Sequence, residues 1–279
     1  MKYRNLVLRK TKDILFRSLV TGLSLLILIP LILILYYVLS KGMAVLNYDF
    51  FTQVAKPVGE VGGGIANAVV GTLILLALAM ITAVPPGIFT GIYLAENQHS
   101  KLASTIRLCA DVLQGIPAIV IGIIAYTWFV MPLRHFSALS GGLALGMMML
   151  PVIIRSTEET VKLIPKSLKE AALALGSPYY KVILKVVLPS GLKGVLTGVM
   201  LGIARVSGEA APLLFTAFGN PFFSLNILKP IQSLPVLIYT YSSSPYEEWH
   251  MIAWGAAACL VIFIFILIFT TKVITHVHD

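Results

Sequence analysis

Two charged residues stand where charge is expensive. Arg205 and Glu209 lie four positions apart in Val195–Phe218, a run of mostly small and apolar residues long enough to cross a bilayer. On a helix that spacing puts both side chains on one face. At mid-membrane each would cost about 2.5–3.5 kcal/mol on insertion scales, so both should face protein or water and not lipid. A guanidinium is a planar, fixed set of donors suited to the oxygens of phosphate. A neighbouring carboxylate can accept a hydrogen bond from a protonated oxyanion oxygen. The pair therefore reads as a station on a polar pathway. An ion pair that only fixes helix packing stays open beside it.

A second group of residues is suited to transmitting motion. Glu170-Ala171-Ala172, Gly176 and Leu188-Pro189 sit in the stretch EAALALGSPYYKVILKVVLP. Ser167–Leu175 is a strong helix former, with Leu168, Ala171, Ala172 and Leu175 on one face by 3/4 spacing. Gly176 suits the position after a helix end. Ser177-Pro178 reads as an N-cap followed by Pro at the first helical position. Upstream, Ser156-Thr157-Glu158-Glu159 has capping-box spacing and predicts a helix start, which Pro165 then interrupts. The product is a short helix across the inner membrane face. It presents small residues, so another protein's groove can approach its backbone closely.

No catalytic constellation accompanies these residues. His99, His135, His250, His276 and His278 fall in loops or the tail, and none has His-Glu-x-x-His spacing. His276 and His278 could catch a metal in trans, but a solvated tail is the plainer reading. A Gly-x-x-x-x-Gly-Lys-Ser/Thr phosphate loop is absent, so the chain has no ATP site of the usual kind and needs another subunit for energy. Cys109 and Cys259 lack CxxC or metal spacing and read as small buried hydrophobes.

The elements that hold such residues must be membrane helices. The chain is 58% hydrophobic and 12% charged, against about 25% charged in soluble domains. Its mean hydropathy is +0.91. Six stretches read as spans: Ser18–Ser40, Ile65–Ala95, Val112–Val130, Leu139–Ile154, Val195–Phe218 and Ile252–Thr271. Ser18–Ser40 carries no charge and is too long, without a small-x-small site, for a cleavable signal. Pro85-Pro86 removes backbone donors and predicts a kink or break near the inner end of the second span. Gly115, Pro117 and Gly122 punctuate the third, and Pro151 the fourth. Gly194, Gly198 and Gly202 form a small-residue stripe whose usual meaning is close helix packing. Asp111, at the inner edge of the third span, reads as solvated at the interface.

Basic residues set the orientation. Lys2, Arg4, Arg9, Lys10, Lys12 and Arg17 precede the first span. With that end in the cytoplasm, Lys101, Arg107, Arg155, Lys162, Lys166, Lys169, Lys181, Lys185, Lys193 and Lys272 also fall inside. Only Lys41, Lys56, Arg134 and Lys229 fall outside. Both termini are therefore expected in the cytoplasm. The same asymmetry accounts for the net charge of +9 through lipid headgroups and not nucleic acid. Outside, Gly62-Gly63-Gly64 reads as a hinge or close-packing turn, and Asn220–His250 as a loop with a short amphipathic element and interfacial tyrosines.

Glu-Ala-Ala, three residues, Gly, nine residues, Ile, one residue, Leu-Pro is the pattern of membrane subunits of bacterial ABC importers, and the loop resembles it with Val186 in the Ile position. The run Arg205-Val-Ser-Gly208-Glu209-Ala-Ala-Pro212-Leu-Leu-Phe-Thr-Ala-Phe-Gly-Asn220 resembles the fifth-helix signature of phosphate importer permeases of the PstA type. Gly115-Ile-Pro117-Ala-Ile-Val-Ile-Gly122 is similar to their third helix. The likeness runs from about Ile65 to the C-terminus. It implies an all-α polytopic membrane protein of six transmembrane helices with the MetI-like ABC importer permease fold. Its parts would be a cytoplasmic segment 1–17, a first helix 18–40, and a permease core 65–274 with a coupling loop 156–189. Glu170, Ala171, Ala172, Gly176, Leu188 and Pro189 would couple to the ATPase, and Arg205 and Glu209 would line the translocation pathway. The resemblance implies import of inorganic phosphate across the inner (plasma) membrane by a chain that is not itself an enzyme. The chain would carry no cofactor, ATP and Mg being held by partner subunits. Partners would be a second, unlike permease, two copies of an ABC ATPase, a periplasmic or surface phosphate-binding protein and the lipid bilayer, with no nucleic acid. A permease for molybdate or phosphonate is the alternative within the class. A membrane-embedded lipid-modifying enzyme using Arg205 and Glu209 is the alternative outside it.

Overall fold

The structure, a computed structural model, describes residues 2–57, 60 and 62–276, with side chains at 9–57, 60 and 62–273. The side chains of Lys2, Arg4 and His276, and all of His278, lie outside the described residues. In chain order the helices are α1 (Lys2–Met43), α2 (Tyr48–Thr52), α3 (Ala66–Glu96), α4 (Lys101–Gly115), α5 (Ala118–Leu133), α6 (Ala138–Lys162), α7 (Lys166–Ala174), α8 (Tyr179–Ser190), α9 (Leu192–Val206), α10 (Ala211–Thr216), α11 (Leu234–Ser242) and α12 (Glu247–His276). π-helical turns interrupt α5 at Tyr126–Val130 and α8 at Ile183–Val187.

Four helices are long and apolar enough to cross a membrane, namely α1, α3, α6 and α12. The count reaches six if each of two bent pairs is one span: α4 with α5, bent by 106°, and α8 with α9, bent by 70°. The expected third span, Val112–Val130, is thus two helices. Ile116 is extended (φ −71°, ψ 131°) because the ring of Pro117 disfavours a helical residue before it. The expected fifth span also ends early: α9 stops at Val206, and Pro212 starts the separate helix α10. By contrast α3 runs unbroken through Pro85 and Pro86. Packing against α6 outweighs the two missing donors there.

The centre of the bundle is α3 against α6. Neither helix gains much by hiding apolar surface from lipid, so close van der Waals packing must hold them. Glycines allow it. A methyl group at Gly87 would come within 2.7 Å of Ile153, and one at Gly141 within 2.8 Å of Leu75. The Gly194/Gly198/Gly202 stripe of α9 packs on Thr160, Ser156 and Met149 of α6, as its spacing predicts. Leu75, Ala79, Leu145, Met149, Ile153, Ile203 and Leu213 form the shared core. Helix α1 is different. It is continuous from Lys2 to Met43, and no residue of its apolar window is buried. It touches α12 through Tyr37 edge-on to Trp254 (5.2 Å) and through Gly42.

Before α3, Gly62 and Gly63 take φ of 92° and 99°, and Gly64 lies against the carbonyls of α2, so the triplet is a tight packing turn. The loop after α10 folds back over helix ends. Asn67 of α3 donates to the carbonyls of Asn220 and Pro221 (3.0 Å each), and the Leu234 amide donates to the Thr72 hydroxyl (2.9 Å). The expected short element is α11, with Leu234, Leu237 and Tyr241 buried and Tyr239 exposed. Cys109 is exposed on α4, contrary to the buried role expected of it, while Cys259 is half-buried. An unpaired, apolar-flanked thiol on a membrane helix can face outward without penalty.

Candidate functional site

Arg205 closes the last turn of α9 and is exposed, while Glu209 is half-buried in the turn before α10. The helix ends between them, so they do not share the helical face that their spacing predicts. Among the described residues no hydrogen bond or ion pair joins them. The chain break has a cause: Gly208 meets no neighbour, and Pro212 is committed to packing on α5, where a methyl group at Gly122 would come within 2.8 Å of the Pro212 Cα. The two segments singled out by sequence, Gly115–Gly122 and Arg205–Asn220, therefore meet in space. A bent span (α4–α5) rests on the segment that carries the two charges.

At the other end of the bundle lies the helix that the Glu-Ala-Ala run predicts. It is α7, with Pro165 at its N-cap and no buried residue. Glu170 and Ala171 are exposed. Leu168 and Leu175 are 41% and 87% exposed, so the apolar face by 3/4 spacing is not a core face. Of that apolar face Ala172 turns in, against a cluster of Ile92, Ala95, Val161, Val182 and Val187. Val186 and Leu188 pack on the same cluster, which is the structural use of the Val-x-Leu-Pro end of the pattern. Gly176 takes φ +78° and donates to the Leu173 carbonyl (2.9 Å), closing the helix as expected. Pro178 serves as the N-cap of α8, so the helix starts one residue later than predicted from Ser177-Pro178. The predicted helix start at Ser156–Glu159 is overturned: those residues are interior to α6, which continues to Lys162.

That correction exposes a site the sequence reading missed. Glu158 is fully buried, and its carboxylate gathers three cations. Arg107 Nε donates to Oε1 at 2.6 Å, Lys162 Nζ to Oε1 at 2.6 Å, and Arg155 Nη1 to Oε2 at 3.1 Å. Arg155 also holds Asp111, with Nε 2.9 Å from Oδ1, so Asp111 is an ion-pair partner and not merely solvated. Arg107 reaches further, donating through Nη2 to the Leu94 carbonyl (2.7 Å) and Nη1 to that of Gln98 (3.2 Å). One carboxylate thereby joins α3, α4 and α6 at the same end of the bundle. The signal was present as Arg155, Glu158 and Lys162 at helical spacing. Reading Ser156–Glu159 as a cap concealed it.

The histidines have ordinary surroundings. His250 lies on α12 with Nε2 2.7 Å from the Ser244 carbonyl, and His135 is exposed. Among the described residues no group of three His, Cys, Asp or Glu is placed to hold a metal.

Known proteins share this arrangement. Residues 87–279 match the family model described as "Binding-protein-dependent transport system inner membrane component". A phosphate transport system permease protein PstA of Xylella fastidiosa is 44% identical over 231 residues, covering 82% of this chain and 80% of its own. A probable PstA of Methanocaldococcus jannaschii is 38% identical over 263 residues, covering 94% and 92%. Among solved structures, an inward-facing MetNI methionine ABC transporter chain aligns with a TM-score of 0.61 at 19% identity, covering 76% of this chain and 96% of that one, a likeness of fold. A bent α4–α5 pair resting on α10, an exposed α7 closed by Gly176 and this degree of identity place the chain in the binding-protein-dependent inner membrane component family, among its PstA-type permeases.

Proposed function

We propose that this chain is a permease subunit of an ATP-driven importer of inorganic phosphate. The observation that carries the reading is Arg205: a guanidinium at the end of a membrane helix, exposed, not paired with the carboxylate four residues away, and borne on the segment whose Pro212 packs on Gly122 of α5. A cation held in a low-dielectric passage gives a crossing anion its counter-charge. Glu209 can accept a hydrogen bond from the protonated oxygen of hydrogen phosphate, a donor that sulfate lacks at neutral pH. The relatives named for phosphate transport agree with this choice over molybdate or phosphonate. Energy would come from two copies of an ABC ATPase, one of them docking on α7. A second, unlike permease would complete the pathway, and a phosphate-binding protein would deliver the anion from outside. ATP-driven closure of the ATPases would move α7 and switch the access of the pathway.

The direct test reconstitutes the chain with its companion permease, ATPase and binding protein in vesicles. ATP-dependent uptake of radiolabelled phosphate, not competed by molybdate or phosphonate, is the expected result. Uptake of neither phosphate nor any competing oxyanion would sink the reading.

Two further outcomes follow from the same reading. Glu170→Lys should insert normally yet lose the ATPase in co-purification, because Glu170 is exposed and has no fold role to lose. Gly176→Asn, which tolerates positive φ, should keep the local turn; loss of ATPase docking in that variant then reports contact with the partner. Reporter fusions after Lys10, near Lys101, near Lys169 and after Lys272 should report cytoplasm. Those near Gly63, His135 and Ser243 should report the outside. A cytoplasmic signal at Ser243 would break this topology.

A further inference from the structure

We propose that Glu96 is a positioning residue that fastens both arms of the coupling segment to the inner end of α3. This rests on the reading above, in which α7 receives the motion of the ATPase. The Glu96 carboxylate is shared. Oε1 is ion-paired with Lys169 of α7, and Oε2 accepts the phenol proton of Tyr179, the first residue of α8, at 2.9 Å. Lys169 and Tyr179 lie on opposite sides of the turn at Gly176, so one side chain holds both limbs of the loop.

The α8 limb also packs through Val182 and Val187 on Ile92 and Ala95 of α3, but little else holds α7. No residue of α7 is buried, and its inward apolar contact is Ala172. A cavity of about 300 Å³ opens between α7 and the end of α3, lined by Lys166, Lys169, Glu170, Leu173 and Tyr179 with Glu96 on the far wall. Polar bonds across that gap therefore carry much of the attachment. The Lys169 and Glu96 side chains are only 17% and 16% exposed, so their attraction is screened less than that of a surface pair.

What Glu96 holds is itself anchored. Arg107 binds the carbonyls of Leu94 and Gln98, on either side of Glu96, and passes to Glu158 of α6. A displacement of α7 delivered to Glu96 would thus reach the packed pair α3–α6, and through Arg107 the helix α4 that leads to the bend at Pro117. Without Glu96, α7 could move while the spans stay behind. The chain connection does not prevent this, because α6 ends at Lys162 and α7 begins only after Pro165.

The experiment uses the assembled complex. In Glu96→Lys the ATPase should stay bound and hydrolyse ATP, while phosphate moved per ATP should fall by about tenfold, within the range of coupling energies carried by such networks. The exchanged pair Glu96→Lys with Lys169→Glu should recover to within about threefold, since opposite charges meet again and the new ammonium can donate to Tyr179. Should Glu96→Lys fail to assemble, Glu96→Gln keeps the Tyr179 bond and loses only the charge; it should show the same defect in smaller measure. A second readout does not need the substrate. Spin labels at Ser167 of α7 and Thr105 of α4, with Cys109 and Cys259 replaced by Ser, should keep one separation with and without trapped ATP. In Glu96→Lys that separation should change with nucleotide. Unaltered phosphate per ATP in Glu96→Lys, a loss that the exchanged pair does not repair, or a label separation that shifts equally with and without Glu96 would each overturn the proposal. Failure of the phosphate reading is distinct, because it appears in the unsubstituted complex, while the label separation still reports on Glu96.

Discussion

Arg205→Gln is expected to abolish phosphate uptake while the complex still assembles and hydrolyses ATP. The loss should be about a hundredfold, the factor set by roughly 3 kcal/mol for a hydrogen bond to a charged group. The informative variant is the double replacement Arg205→Gln with Glu209→Gln. Were the two residues only partners of each other, removing both charges would restore function. The structure argues against that rescue. α9 ends at Val206, Glu209 sits beyond the helix end, and no bond joins them. Arg205 is also exposed, whereas the basic residues that do serve structure, Arg107 and Arg155, are tied to carboxylates. The double variant should therefore remain inactive at matched membrane levels in a radiolabelled phosphate assay. Recovery of uptake would return the pair to a packing role.

The parts of this fold that were legible in the sequence are those set by local physics. The uncharged run Ser18–Ser40 has nowhere to lie except in lipid, and no residue in the apolar window of α1 is buried. The glycine stripe Gly194/Gly198/Gly202 has no better use than close approach to another helix, and it meets Thr160, Ser156 and Met149. Gly176 and Pro165 bracket α7 because backbone conformation at those positions depends on the residue itself. What was not legible depended on tertiary partners. Pro85 and Pro86 do not break α3, because α6 supports it along its length. Val195–Phe218 is mostly apolar and long enough for one span, but Pro212 packs on Gly122 of a distant segment and splits it. Leu168 and Leu175 have core periodicity yet lie exposed, because spacing marks an apolar face without saying what, if anything, packs on it. The capping-box spacing at Ser156–Glu159 is real. The box competes with a continuing α6 whose Glu158 is claimed by cations from two helices, and the cluster wins.

That cluster yields the largest expected effect on stability. Glu158 is buried completely, and its two oxygens serve Arg107, Arg155 and Lys162. Removing one partner of a buried ion pair typically costs about 3–5 kcal/mol, because the remaining charge is left without compensation. Here Glu158→Ala leaves three cations facing one another around an empty space, so the cost should lie toward the upper part of that range. The variant should be depleted from membranes, and the purified protein should lose its native elution profile at a lower temperature than the parent. Asp111 limits the damage only for Arg155, since it does not bond Arg107 or Lys162. A compensated variant separates charge from shape. Glu158→Met with Arg107→Met removes the buried carboxylate together with one of its cations and fills the volume with apolar groups, which often costs little or even stabilises. It should recover a substantial part of the lost stability. It should not recover full transport, because Arg107 also holds the carbonyls of Leu94 and Gln98 at the end of α3. A Glu158→Ala protein that melts with the parent would show that the inner ends of α3, α4 and α6 are held by packing alone.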